Sequence, residues 1–256
     1  MKNYIFRIIF ITIIVFSFSV QASDLAKEKR WADQVVEAIL DGEAVWLNDG
    51  VSDYLAIYTE AEEASTHAVI VMHGTGVHPD WQQVVQPLRV GLTEHGWHTL
   101  SIQMPVLANE ASHADYAPLY DEVAPRIDAA IAYLKGHGIN TIVLVGHSQG
   151  ASMAAYYLSK TKQKLKGFVA IGLSGAAEDN RMNGVYSLER IKIPTLDLYG
   201  NEDLDDILAT VKDRRVAGEK SIGKKFNQVK ITGNHFYDGN DEGLIDAVSA
   251  WLAKLK

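Results

Sequence analysis

Between Thr141 and Leu158 three segments follow one another without a spacer. Thr141-Ile142-Val143-Leu144-Val145 is an apolar run, Gly146-His147-Ser148-Gln149-Gly150 is a glycine-bounded turn, and Ala151 to Leu158 is a good helix former. An apolar run without alternation suits a strand buried on both faces, as in the interior of a parallel sheet covered by helices. The same grammar recurs along the chain. Ala68–Met72 is another such run, preceded by two short strands (Ala44–Leu47 and Tyr54–Tyr58) around the turn Asn48-Asp49-Gly50. Helix Trp81–Glu94 leads to strand Trp97–Gln103, helix Tyr120–Lys135 to strand Thr141–Val145, and helix Ala151–Lys160 to strand Gly167–Leu173. Strand Thr195–Tyr199, helix Leu204–Val216, strand Phe226–Ile231 and helix Gly243–Leu255 close the series. Strands separated by helices of this length imply βαβ crossovers. The expected architecture is α/β: a three-layer sandwich, a mostly parallel central sheet with helices on both faces.

The N-terminus reads differently. Lys2 and Arg7 precede an apolar run from Ile8 to Val20, which ends in Val20-Gln21-Ala22 and the polar Ser23-Asp24. That run is short of the roughly 20 residues a spanning helix needs, and its flanks match a cleaved secretory signal. The expectation is a signal peptide over residues 1–22 and one domain over 23–256, exported, and periplasmic in a Gram-negative cell. No stable membrane insertion is expected after cleavage. An amphipathic helix from Asp24 to Leu40, with Ser23 available as its cap, would open the domain. The chain has no cysteine, which removes disulfides, thiolate metal sites, thiol nucleophiles and cysteine-linked lipid anchors. A net charge of −8 argues against a nucleic-acid partner.

The pentapeptide around Ser148 matches G-x-S-x-G in the strand–turn–helix context that the motif needs. A lone serine hydroxyl is a weak nucleophile; it needs a base, and the base an orienting acid. Thr195–Tyr199 runs into Gly200, and Asp203 lies just beyond, on the sheet edge where Ser148 is expected. Glu202, Asp205 and Asp206 crowd the same turn and Asp179 follows the preceding strand, so these remain rival acids. Thr232-Gly233-Asn234-His235 leaves the last strand on a short loop, and His235 is the only histidine that follows both serine and acid. For the oxyanion, His73-Gly74-Thr75-Gly76 follows the strand at 68–72, so the N–H of Thr75 or Gly76 can point into the site. The N–H of Gln149, at the start of the elbow helix, would be the second donor. His73 itself reads as a structural hydrogen-bond partner.

These four segments, His73-Gly74-Thr75-Gly76, Gly146-His147-Ser148-Gln149-Gly150, Gly200-Asn201-Glu202-Asp203 and Gly233-Asn234-His235, resemble the α/β-hydrolase superfamily in content and order. The stretch from His73 to Trp81 resembles a poorly characterised bacterial branch of it, which implies no particular substrate. The resemblance implies Ser148 as nucleophile, Asp203 as acid, His235 as base, and Thr75 with Gln149 as oxyanion donors. It also implies that no cofactor is needed. Many larger relatives carry a lid between the strand after the elbow helix and the acid-bearing strand. Here Leu173 to Pro194 leaves room only for a loop or a short helix, so no large lid domain is expected. Gly76, Val77, Trp81, Met104 and Tyr116 are candidates to line an open, shallow pocket.

Two other signals carry less. Gly218 to Lys225 approaches a phosphate-binding loop, but Lys225 stands where a Ser or Thr should and no strand precedes it. His73, His78 and Asp80 have no diagnostic metal-ligand spacing, so no metal site is expected. The reading is a serine hydrolase acting on a small-molecule acyl substrate, a carboxylic ester or thioester. Its rival is an inactive, hydrolase-shaped binding protein of the cell envelope, with the triad residues present but unaligned.

Overall fold

The computed structural model describes residues 23–256, so the expected signal segment lies outside the described residues. The first half of the chain forms α1 (Leu25–Ala38), β1 (Glu43–Asn48), β2 (Asp53–Thr59), β3 (His67–Met72), α2 (Val85–Gly91), β4 (His98–Ile102) and α3 (Val123–Gly136). The second half forms β5 (Thr141–His147), α4 (Gln149–Leu158), β6 (Gly167–Ile171), α5 (Gly184–Leu188), β7 (Thr195–Glu202), α6 (Asp205–Ala209), α7 (Val211–Ile222), β8 (Phe226–Asn234) and α8 (Asp241–Leu252). One eight-stranded sheet results, in the order β1-β2-β4-β3-β5-β6-β7-β8. From β4 to β8 every pairing is parallel; β1 and β2 add an antiparallel edge.

The period-2 geometry of strands sorts the apolar runs into two cores. Ala68, Ile70, Met72, Ile142, Leu144, Phe168 and Ala170 face one side, packed with Ile127 and Leu134 of α3 and Ala151 and Ala154 of α4. Val69, Val71, Val143, Val145, Val169 and Ile171 face the other, against Leu88 of α2 and Leu244, Val248 and Trp251 of α8. This is why the runs do not alternate: each strand interior is dry on both faces. After β3 the chain crosses to β4 on one side, then returns to lay β5 on the other. The carboxyl ends of β3 and β5, with Met72 opposite Gly146, therefore flank a topological switch point, where loops diverge and leave a crevice.

Several boundaries differ from the sequence expectation for local reasons. The helix expected from Trp81 begins at Val85, because Val84 adopts φ 63° and the preceding residues form turns, with Trp81 N–H donating to His78 C=O. The helix expected from Tyr120 begins at Val123; Tyr120 closes a 3-10 segment, His113–Asp121, that contains Pro118. The helix expected over Leu204–Val216 is broken at Thr210, whose hydroxyl accepts from Gly175 N–H at 3.2 Å and donates to Asp206 C=O at 2.9 Å. The last strand continues past Ile231 to Asn234.

Buried charge fastens α1 to the rest. Arg126 of α3 is fully buried, with Nη1 2.9 Å from Glu28 of α1 and Nε 3.2 Å from Asp49 in the β1–β2 turn. Nη1 also donates to Gln103 C=O, and the Arg126 C=O accepts from Tyr54 Oη at 2.6 Å. Burial pushes the Glu28 carboxyl up, and the Arg126 charge and hydrogen bond act against that shift. Lys27 adds bonds to Leu107 C=O and Asn109. Removing the guanidinium leaves Glu28 buried without a counter-ion, so Arg126→Met is expected to cost about 3–5 kcal/mol in urea unfolding. The double variant with Glu28→Leu should recover most of that loss. A single-variant cost under about 1 kcal/mol, no more than a surface pair gives, would show that the pair does not hold α1 down.

Candidate active site

Ser148 sits between β5 and α4 with φ 54° and ψ −121°, a backbone conformation strained for any residue with a Cβ. Close packing of three backbones holds it there. A Cβ on Gly150 would strike the carbonyl oxygens of Met72 and His73, and one on Gly146 would lie 2.7 Å from Ala151 Cα. The Ser148 N–H donates to Ile171 C=O at 2.8 Å, which pins the turn to the end of β6. Ser148 is half-buried rather than occluded.

The candidate acid, Asp203, and the candidate base, His235, come from the ends of β7 and β8. The Asp203 Oδ2 accepts from Gly200 N–H at 3.1 Å, and Oδ1 accepts from Leu204 N–H at 2.9 Å and meets His235 Nδ1 at 2.6 Å. Burial alone would raise the Asp203 pKa; the His235 bond, the His235 charge and the two backbone donors outweigh it, and the carboxyl lies below its ordinary range. An ionised carboxylate only accepts, so Nδ1 carries the proton and Nε2 of neutral His235 is left as a base. The rival acids are placed elsewhere: Asp179 pairs with Arg181 at 2.7 Å, and Glu202, Asp205 and Asp206 are exposed. Among the described residues no hydrogen bond joins Ser148 Oγ to His235, so the serine–histidine link is open.

The loop after β3 is fixed from beneath. His73 is buried, its Nδ1–H donates to Gly74 C=O at 2.8 Å, and Nε2 accepts from Met104 N–H and from Gln103 Nε2, both at 2.9 Å. Burial lowers its pKa to about 3. Thr75 at the loop's tip is exposed, Gly76 and Val77 half-buried. The backbone N–H groups of Thr75 and Gln149 have no protein acceptor among the described residues. Of the pocket candidates, Trp81 lines a surface groove. Met104 and Tyr116 do not stand at the surface: both are packed in the core, and the Tyr116 hydroxyl is engaged by Leu107 N–H at 3.1 Å. Both belong to the core that α3 and α4 share, which is why their apolar character serves packing.

Two residues that the sequence reading passed over shape the site. Gly172, at φ 59° just past β6, faces the His235 ring; a Cβ there would be 2.9 Å from Cε1. Its signal was a glycine at the end of an apolar run. His147, inside the pentapeptide, is buried with its ring 4.8 Å from that of His235, and its Nε2–H donates to His235 C=O at 2.9 Å. Burial, then the neighbouring His235, lowers its pKa to about 4, so it is neutral at pH 7 and stays a donor from Nε2.

A family profile described as "Protein of unknown function (DUF3530)" matches residues 20–120 and 108–254. No curated protein matches the sequence. Among solved structures, an alpha-beta serine hydrolase homologue from Coxiella burnetii is similar over 84% of this chain and 99% of its own, at 20% identity and TM-score 0.66. Est1E from Butyrivibrio proteoclasticus is similar over 83% of this chain and 98% of its own, at 16% identity and TM-score 0.62. XC6422 from Xanthomonas campestris, described as an a/b serine hydrolase without lid, is similar over 85% of this chain and 96% of its own, at 14% identity and TM-score 0.62. The fold is therefore the α/β-hydrolase fold, and only α5 and loops separate β6 from β7, where a lid domain would stand.

Two outcomes follow from this geometry. Gly172→Ala is expected to displace the His235 ring and abolish the low-field proton resonance of its Nδ1–H; a retained resonance would show that the ring has room to spare. The second concerns acid. His73 and His147 have folded pKa values of about 3 and about 4, below the unfolded value of about 6.5. Between those values the unfolded chain binds protons that the folded chain refuses, so stability falls as pH drops from about 6.5 toward 4. Urea midpoints across that range should decline by the equivalent of a few kcal/mol in total. A flat profile would mean that neither ring is buried neutral.

Proposed function

The chain belongs to the DUF3530 family, and we propose that it is an exported serine hydrolase that cleaves a carboxylic ester or thioester through an acyl-enzyme. The observation that carries this reading is the Ser148 backbone, held at φ 54° where β5 turns into α4, because that strain lifts a hydroxyl out of the sheet toward substrate. The pairing of His235 Nδ1 with Asp203 at 2.6 Å supports it.

In this mechanism His235 Nε2 takes the proton from Ser148 Oγ as the oxygen attacks the substrate carbonyl. The developing oxyanion is met by the N–H groups of Thr75 and Gln149, the latter at the positive end of the α4 dipole. His235 then gives its proton to the leaving alcohol or thiol, and the Ser148 acyl ester forms. Water, deprotonated by the same nitrogen, releases the acid. Asp203 keeps the proton on Nδ1 and stabilises the ring while it is charged. The open Ser148–His235 link closes when substrate binds, as catalytic hydrogen bonds tighten in the complex. His147, by holding the His235 carbonyl, fixes the ring's height over the serine. The fold of the structural relatives supports this reading, and so does the description of two of them, from Coxiella burnetii and Xanthomonas campestris, as serine hydrolases.

Lys2, Arg7 and the Ile8–Val20 run ahead of Ala22 support export, to the periplasm if the cell is Gram-negative and otherwise as a secreted protein. Among the described residues no helix is long and apolar enough to cross a membrane. The rival reading, a binding protein on a hydrolase scaffold, calls for an unaligned acid or an occluded serine. Asp203 against His235 and the half-buried Ser148 favour the enzyme.

A fluorophosphonate probe tests the proposal. The wild-type protein should be labelled stoichiometrically and the Ser148→Ala protein not at all. A folded wild-type protein that takes no label would sink the hydrolase in favour of the binding protein.

A further inference from the structure

The loop that carries Thr75 does more than reach the nucleophile. Beyond it, residues 78–86 and the C-terminal half of α1 enclose a groove of about 660 Å³. The polar side of its lining is Gln34 from α1 and Gln82, Gln83 and Gln86 from the loop and α2, with Trp81 and His78 between them; Val35, Ala38 and Leu40 add an apolar side. Trp81 is half-buried, and His78 stands edge-on to both Trp81 (5.5 Å) and Trp31 (5.8 Å), which props the aromatic floor in place.

The charge state of the groove selects among ligands. Its one carboxylate, Asp80, is neutralised by Arg89, which is fully buried and sits 2.5 Å away. Burial holds the His78 pKa below its ordinary value, so the ring is uncharged at neutral pH. What remains on the polar side is a set of amides around an indole face, of which Gln83 is already engaged, accepting from Trp81 Nε1 at 3.3 Å and donating to Asp238. An anion would find no cation among the lining residues, the carboxylate at the rim, Asp238, is engaged by Gln83 and Asn234, and a purely apolar ligand would leave the free amides unpaired. A neutral polyhydroxylated ring, with hydroxyls at its rim and C–H groups on its faces, meets both requirements.

The groove is also tied to the base. Gln83 donates from Nε2 to Asp238 Oδ1 at 2.6 Å, and Asp238 accepts from Asn234 Nδ2 at 2.8 Å, one residue before His235. The side chain at the groove's rim thus touches the loop that carries His235, while the chain at its floor is the continuation of the Thr75 loop. We propose that this groove binds a neutral oligosaccharide, and that the hydrolase, on the reading above, removes acyl groups from a glycan held there.

The test uses the Ser148→Ala protein, so that binding is read apart from turnover. Maltohexaose, cellohexaose and chitohexaose are titrated separately, up to saturating millimolar concentrations, by calorimetry and by tryptophan fluorescence. At least one should bind with a change in tryptophan emission. Trp81→Ala should weaken it about tenfold, the upper end of what an aromatic contact supplies, and Trp81→Tyr should retain most of the affinity. Gln34→Ala, on the exposed face of α1, should weaken binding about threefold without disturbing the fold, in line with one lost hydrogen bond. Binding by none of the three sugars, or binding indifferent to both Trp81→Ala and Gln34→Ala, would overturn the proposal. Fluorophosphonate labelling of the wild type separates the two claims. Labelling without sugar binding removes the groove and leaves the hydrolase; sugar binding without labelling does the reverse.

Discussion

Everything about this site depends on how closely three backbones approach behind Ser148. The ends of β3 and β5 lie side by side, with Met72 opposite Gly146, and α4 begins so near them that Gly150 has no space for a methyl group. A few tenths of an ångström more would let the turn relax, and Ser148 would fall back into an ordinary conformation. The strain at one residue, of order 1–3 kcal/mol, is sustained because the sheet on either side is dry on both faces and cannot shift. The fold thus stores a small unfavourable energy at a single point and surrounds it with a large favourable one.

The remaining groups are placed by strand ends rather than by contacts with Ser148. Asp203 leaves β7, whose interior residue Asp197 is fully buried and bonded to Arg214 Nε (2.9 Å) and Gln228 Nε2 (2.8 Å). Arg214 in turn holds the Ile207 carbonyl at 2.7 Å, so the α6–α7 turn, β7 and β8 share one polar knot. Burial raises the Asp197 pKa despite these partners, a sign of how dry the knot is. A buried ion pair of this kind adds little net stability compared with apolar packing, and its value here is registry: it fixes β7 against β8, and therefore Asp203 against His235.

Much of this was legible in the sequence because it is local. Apolar runs of five to seven residues reported strands buried on both faces, and the short polar turns after them reported the sheet edge where chemistry collects. Asp203 and His235 could be picked out because each lies a fixed few residues past such a run. What was not legible depends on distant partners. Met104 and Tyr116 look like pocket lining until they are found in the core that α3 and α4 share. His147 looks like filler in a motif until its imidazole is found on the His235 carbonyl, 88 residues away in sequence. Val84 gives no sign in its chemistry that it will turn left-handed and delay α2 by four residues. The groove was invisible for the same reason, since part of its lining belongs to a helix made some forty residues earlier than the rest.

The Glu28–Arg126 clasp has a consequence for how the chain comes together. Ser23 N–H, at the start of the domain, bonds to Glu122 across 99 residues of chain, and Glu28 waits on an arginine further along still. A chain that emerges N-terminus first makes α1 at once and can lay Ala32 and Val35 on Leu55 and Ile57 of β2, yet cannot close the Glu28 ion pair until α3 has followed. Through that interval the leading helix carries a carboxylate that prefers water, so its last anchor waits on chain that is still arriving. The first helix among the described residues thus has its buried charge satisfied only after four strands have been made.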